Sequence, residues 1–315
     1  MGTVTSSAPA ASPVRAPILG LLLDVDGPIA SPVSRSIAIP SIATDLARLA
    51  NAGIPIVFNT GRSDDFIQRE VVPPLLAAGI DEGVTLYAVC EKGASWFTIT
   101  RDGASEVSVD ASLAVPEDYA REIEQLVATK YERFVFFDHT KRAMVSVEQR
   151  TDVASADYLA IQPDFDADAI RAFVARGLGV SREGARFPDA NDGVQWRIDP
   201  TIISTDIESV KLGKDLGAER AFALLEGTRP LPLEWRTVGD SRSDYAMADW
   251  LHEHGHTVSH VDVRPRDGIP EKPYAVLTAG DLIHDDAGAA FLERWTRMVS
   301  GDSTDDDEVG VDEAA

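Results

Sequence analysis

Residues 21–29, Leu-Leu-Leu-Asp-Val-Asp-Gly-Pro-Ile, constrain this chain more than any other stretch. The leucines read as a buried strand that stops at two carboxylates one residue apart, and Gly27 turns the backbone immediately afterwards. Side chains alternate along a strand, so Asp24 and Asp26 point to one side while Val25 returns to the core. Two acids at one strand end repel each other unless positive charge lies between them. Mg2+ is a hard cation of the right kind, commonly held by one or two carboxylates together with waters and a phosphate. A carboxylate shielded in this way and set opposite a phosphoryl group can attack phosphorus, as in enzymes that pass through an aspartyl phosphate. Asp-x-Asp-Gly alone is equally compatible with a strand and an ordinary Asp-Gly turn. Three later stretches change the weighting.

Residues 40–52 carry Ile42, Leu46 and Leu49 at helical spacing, with Pro40 suited to a first turn and Gly53 to a C-cap. A strand follows at 54–58, so the unit is strand-helix-strand and the sheet is expected to be parallel. Asn59-Thr60-Gly61-Arg62-Ser63 comes next, then a helix starting at Asp64 and Asp65 that Pro73 and Pro74 are expected to interrupt. A third strand is expected at 84–90. From about residue 96 the pattern changes to paired short strands (96–100 with 106–109, 134–137 with 144–147, and pieces within 185–198) and helices at 117–130 and 166–176, which indicates an inserted α+β unit. The parallel pattern resumes with helix 216–225, strand 235–238 and Gly239-Asp240-Ser241-Arg242-Ser243-Asp244. A helix to His254, strands at 257–263 and 274–277, and a closing helix at 287–298 complete the chain.

In open parallel sheets ligands bind beyond the carboxyl ends of the strands. Asp24 and Asp26 end the first strand, Thr60-Gly61-Arg62 the second, and Asp240 with Asp244 a later one, while Lys214 precedes the helix leading into it. Together they supply what phosphoryl transfer needs: a nucleophile, a metal site, hydrogen-bond donors and a fixed positive charge. In motif order and spacing, most of residues 17–298 resembles the haloacid dehalogenase-like superfamily, in the Cof and sucrose-phosphatase-like sugar-phosphatase branch, whose C2-type cap lies between the second and third motifs.

The resemblance implies an α/β fold: a Rossmann-like parallel-sheet core at 17–95 and 205–298 and an inserted α+β cap at 96–204. It implies that Asp24 is the nucleophile, and that Asp26 is the general acid and base with its backbone carbonyl on Mg2+. Thr60 holds the phosphate with the backbone of Gly61, Lys214 orients the nucleophile, and Asp240 and Asp244 complete the metal ligands. The expected activity is Mg2+-dependent hydrolysis of a small phosphorylated metabolite, a sugar phosphate above all. Pro28, Lys92, Asp215 and Ser243 depart from the residues frequent in this branch, and none removes a catalytic atom.

Some assignments stay open at this level. Lys211, three residues before Lys214, is a competitor for its role, although spacing favours Lys214. Arg62 either touches phosphate or pairs with Asp64 or Asp65. Asp244 either joins the metal ligands or merely caps the following helix. Phe187, Trp196 and Arg197 either face a sugar or sit in a core. His252-Glu253-His254-Gly255-His256 satisfies His-Glu-x-x-His, a zinc pattern that needs one continuous helix, whereas Gly255 sits where that helix should end. A phosphomutase or phosphotransferase would share the aspartyl phosphate, and a non-catalytic metabolite-binding protein would share the fold.

Net charge is −23, from 29 basic and 52 acidic residues, which argues against nucleic-acid or anionic-membrane partners. No apolar run approaches the roughly 20 residues of a membrane span, and the start lacks the apolar centre of a secretory signal, so a cytoplasmic protein is expected. The single cysteine, Cys90, ends an apolar run and reads as a core residue. Residues 1–16 and the acid-rich 299–315 read as disordered extensions.

Overall fold

The computed structural model describes residues 17–228, 230–301 and 312–313. In chain order the first strands are β1 (Leu19–Leu23), β2 (Ile56–Asn59), β3 (Leu86–Cys90), β4 (Ser95–Thr100), β5 (Gly103–Ala104) and β6 (Ser108–Val109). A second group follows: β7 (Val135–Phe137), β8 (Val145–Gln149), β9 (Val180–Arg182), β10 (Ala185–Phe187), β11 (Trp196–Pro200) and β12 (Ser204–Ser209). The chain then returns with β13 (Glu234–Gly239), β14 (Thr257–Asp262) and β15 (Ala275–Thr278), and Asp312–Glu313 pairs antiparallel to β15.

These strands form two sheets. The larger has the order β15-β14-β13-β1-β2-β3-β4-β5, parallel from β15 to β3, with β4 turning back antiparallel on β3 and β6 pairing with β4. The smaller has the order β10-β9-β11-β12-β8-β7, antiparallel except between β9 and β11. The architecture is α/β, a Rossmann-like core sheet with a second, mostly antiparallel sheet. Residues 96–109, read from the sequence as the beginning of the inserted unit, lie on the edge of the larger sheet.

Alternation along β1 explains why it sits in the middle. Leu21, Leu23 and Val25 belong to an apolar cluster with Leu46 and Phe291, whereas Leu22 faces Phe222, Trp235, Met247 and Leu251 on the other side. A strand buried on both faces needs helices on both faces, which is the normal state of a parallel sheet. The smaller sheet has its own core, in which Tyr119, Ile123, Phe165 and Phe173 pack on Val145, Val147 and Ile198. Trp196 stacks on Phe173 there, Phe187 is exposed on the outer strand, and Arg197 pairs with Glu208. Cys90 is fully buried in the first cluster.

Two local expectations were not met, and one strand had not been expected. Pro73 and Pro74 do not stop their helix: a π-helical turn (Ile67–Val71) precedes α-helix Val72–Ala78, whose first turn they occupy. A first turn has no use for the amide that proline lacks. The helix expected at 166–176 instead runs from Ser155 to Ala175 with Pro163 inside it. Strand β12 had no sequence signal because its alternate residues Asp206 and Glu208 are acidic. No described helix is long and apolar enough to cross a membrane. The N-terminal extension, Arg229 and most of the acidic tail lie outside the described residues, and the last helix continues to Ser300.

Candidate active site

The site forms where β1, β2 and β13 end side by side. The Asp24 amide donates to the Val238 carbonyl at 2.9 Å, which ties the end of β1 to that of β13. Beyond β13, Ser241 and Asp244 form a reciprocal capping box around a short 3-10 turn, Arg242–Asp244. One Asp244 oxygen accepts the amides of Asp240 (3.2 Å) and Ser241 (3.0 Å) and the Ser241 hydroxyl (2.6 Å). The other faces the Lys214 ammonium at 2.5 Å. Asp244 is therefore both a cap and a member of the acid cluster.

Two glycines permit this convergence. Gly27 has φ +94°, and a Cβ there would lie 2.8 Å from the Cβ of Asp240. A Cβ on Gly239 would lie 2.1 Å from that of Asp244, so the loops carrying the acids close up only without those side chains.

Lys214, the first residue of helix Lys214–Leu225, reaches Asp24 at 2.6 Å and donates to the Asn59 carbonyl at 2.9 Å. Asn59 donates in return to the Lys214 carbonyl at 2.9 Å, so the helix start is latched to the end of β2. Lys211 is exposed, and of the two lysines Lys214 is the one in contact with the acids.

Ligand oxygens of Asp24, Asp240 and Asp244 lie within 4.8 Å of one another. Burial, then the neighbouring Asp244, push the Asp24 carboxyl well above its usual range, and Lys214 only partly offsets them. Burial and Asp244 likewise raise Asp240 to about 6. For Asp244 burial is outweighed by Lys214 and by the bonds from Lys214 and Ser241, and its pKa falls. Burial alone would depress the Lys214 ammonium, yet Asp24 and Asp244 lift it above its ordinary value. The upward shifts of two of the three acids come first from burial and then from the repulsion of Asp244. A doubly charged, oxygen-preferring cation is the group that relieves it, so these residues fit Mg2+.

The remaining expected residues surround this cluster. Thr60 is fully buried, and its hydroxyl accepts the Arg62 amide at 3.1 Å. Arg62 pairs with neither Asp64 nor Asp65: its guanidinium clasps the Asp26 carboxylate, Nε to Oδ2 and Nη2 to Oδ1 both at 2.8 Å. The Asp26 side chain thus stands apart from the three clustered acids. Asp64 bonds Arg142 and Asp65 bonds Arg69. The histidine motif disperses, with His252 against Tyr274, His254 against Trp250 and His256 against Phe222.

Sequence reasoning missed the residues that bind the second sheet to the first. Glu91, fully buried and left-handed at φ 48°, accepts the backbone amides of Arg142, Ala143 and Met144 at 2.9–3.0 Å. The loop thus fixed sends Lys141 to the Gly61 carbonyl at 2.8 Å. Two adjacent cations, Lys141 and Arg142, in so acidic a chain were the available signal. Between the sheets lies a cleft of about 530 Å3, with Asp26, Gly61, Arg62 and Asp240 on one wall and Glu148 and Asp206 on the other.

No protein-family model matches the chain, and no curated protein matches it. Solved structures do. The C-terminal domain of trehalose-6-phosphate phosphatase from C. albicans superposes with a TM-score of 0.56 at 14% identity, covering 92% of this chain and 94% of that one. A haloacid dehalogenase-like hydrolase from Bacteroides thetaiotaomicron gives 0.52 at 12% identity, covering 88% and 98%. The chain has the haloacid dehalogenase-like fold. A trehalose-6-phosphate phosphatase from Aspergillus fumigatus, 18% identical over 91% of this chain and 94% of its own, gives 0.50. In the haloacid dehalogenase-like fold of this chain, the clustered acids lie where such open parallel sheets bind ligands, at the carboxyl ends of adjacent strands.

Proposed function

We propose that this chain is a Mg2+-dependent phosphatase of small phosphorylated metabolites, sugar phosphates foremost, acting through an aspartyl phosphate on Asp24. The observation that carries the reading is the convergence of Asp24, Asp240 and Asp244 within 4.8 Å, with Lys214 bonded to two of them. The fold it shares with phosphatases supports it.

In this reading an Asp24 oxygen attacks phosphorus, the ester P–O bond breaks, and the leaving oxygen takes a proton from the Asp26 carboxyl. Asp26 then removes a proton from the water that attacks the aspartyl phosphate, releasing inorganic phosphate and restoring Asp24. Because Arg62 clasps Asp26, that ion pair opens before the carboxyl reaches the leaving oxygen. Lys214 favours the anionic form of Asp24 against burial and Asp244, and the Thr60 hydroxyl with the Gly61 backbone holds phosphate oxygens beside it. Asp24, Asp240 and Asp244 would hold Mg2+, which would supply charge neutralisation for the acids and the phosphoryl oxygens, with the Asp26 carbonyl as the further ligand that the resemblance implies. The second sheet closes the site against bulk water.

The decisive assay is phosphate release from a panel of phosphate esters with Mg2+ and with EDTA. Release is expected only with the cation, and Asp24→Asn should remove it. Activity that survives Asp24→Asn ends the aspartyl-phosphate reading. Conversion of a sugar phosphate to its isomer without phosphate release would establish a mutase.

A further inference from the structure

Asp206 sits on the cleft wall opposite the acid cluster, and a residue of the core sheet holds it there. Lys92, just after β3, extends its ammonium to Glu208 (2.8 Å), Asp199 (3.4 Å) and Asp206 (3.6 Å). Asp199 and Asp206 are register partners on β11 and β12, and like charges directly opposite each other destabilise a sheet. Glu208, two residues along, is fully buried and is also bonded by Arg197. Arg197 of the same sheet serves Glu208, whereas the cation beside the opposed Asp199 and Asp206 is Lys92, reaching them from the other sheet.

The backbone of Lys92 is anchored at the phosphate end. Its amide donates to the Thr60 carbonyl and its carbonyl accepts the Gly213 amide, next to Lys214, both at 3.0 Å. One residue thus spans from the backbone beside Thr60 and Lys214, which lie on separate segments, to the carboxylate on the far wall. Ser146 donates its hydroxyl to the other Asp206 oxygen at 2.7 Å, leaving that carboxylate oriented and only 17% exposed.

The charges of the cleft indicate what such a wall accepts. Four cations line the cleft: Arg62 is engaged by Asp26, Lys141 by the Gly61 carbonyl, Arg35 lies near Glu148 and Arg264 near Asp240. The wall facing the leaving group offers Asp206, Glu148 and Ser146. Carboxylates accept hydroxyl hydrogen bonds strongly and repel a second anion. We propose that Asp206, positioned by Lys92, selects a neutral, polyhydroxylated leaving group by accepting its hydroxyls. This rests on the phosphatase reading above and adds to it the residue that chooses the alcohol and the residue that positions it.

The test compares kcat/KM, with Mg2+, for glucose 6-phosphate, trehalose 6-phosphate, sorbitol 6-phosphate and glycerol 3-phosphate against phenyl phosphate and fructose 1,6-bisphosphate. The wild type should favour its best hydroxylated monoester over both reference esters by about a hundredfold, since a site built for hydroxyl partners rejects ligands that lack them. Asp206→Ala should reduce that ratio by about tenfold or more, chiefly through KM. Lys92→Met should lower it in the same direction and Lys92→Arg restore it, whereas general loosening would lower all esters alike. No preference in the wild type, or an equal loss on every ester in Asp206→Ala, overturns the proposal. Calorimetric binding of the same esters to Asp24→Asn and to Asp24→Asn/Asp206→Ala tests it with the chemistry disabled, and equal affinities overturn it. Absence of phosphate release from any ester by the wild type refutes the phosphatase reading instead.

Discussion

Replacing Lys214 by methionine keeps most of the side-chain volume and removes one buried charge, which makes it the sharpest probe of the cluster. Its ammonium faces Asp24 at 2.6 Å and Asp244 at 2.5 Å, and the residue is only 8% exposed. Removing one partner of a buried ion pair costs about 3–5 kcal/mol, because the remaining charge stays desolvated. Here two carboxylates lose their partner at once, so the upper part of that range is expected in EDTA at pH 8. The acids can escape by binding a proton. A carboxyl whose folded pKa exceeds its unfolded value holds more protons folded than unfolded, so stability falls as pH rises through that interval. Asp24 already lies high for this reason, and losing Lys214 pushes it higher. The penalty should therefore shrink on going from pH 8 to pH 5, and saturating Mg2+ at pH 8 should recover part of it. Urea unfolding of wild type and Lys214→Met at the two pH values, with EDTA or Mg2+, measures each quantity. A penalty below about 1 kcal/mol at pH 8 in EDTA, or one independent of pH, would refute the account of Lys214 as the counter-charge of the buried acids.

Other perturbations follow from single contacts. Gly27→Ala should cost about 1–3 kcal/mol and abolish phosphate release, because φ is +94° and the new Cβ meets Asp240 at 2.8 Å; thermal melting and activity check both. Glu91→Ala removes the acceptor of three backbone amides, and at about 1–3 kcal/mol for each donor left buried should cost at least about 3 kcal/mol in urea unfolding. It should also raise KM as the Lys141 loop comes free. His260 is buried beside Thr237, and burial lowers its pKa from 6.5 to about 4. Its contribution is complete above pH 6.5 and is lost as pH falls toward 4, by up to about 3 kcal/mol. His260→Gln should flatten the stability-pH curve over that interval, as chemical denaturation between pH 4 and 7 would show.

Alternation and order were enough for much of this. Leu21 to Leu23 specified a central strand that stops just before Asp24, because a parallel sheet buries both faces. Thr60, Lys214, Asp240 and Asp244 could be placed because each borders an element whose period is visible along the chain. Pairing between side chains was a different matter. That Arg62 takes Asp26 rather than Asp64, and that Asp64 takes Arg142, depends on the distance between loops 36 and 78 residues apart in sequence. The edge position of residues 96–109 and the strand at Asp206 and Glu208 were equally hidden. A charged strand is stable only where a partner such as Lys92 arrives from elsewhere, and hydrogen-bonding edges carry no signature of which sheet will claim them. Local periodicity is a property of the covalent chain, so the sequence by itself determined the parallel strands of the core and the acids that follow them. The electrostatic partnership of one sheet with the other is a property of folded space, and only the tertiary structure decided it.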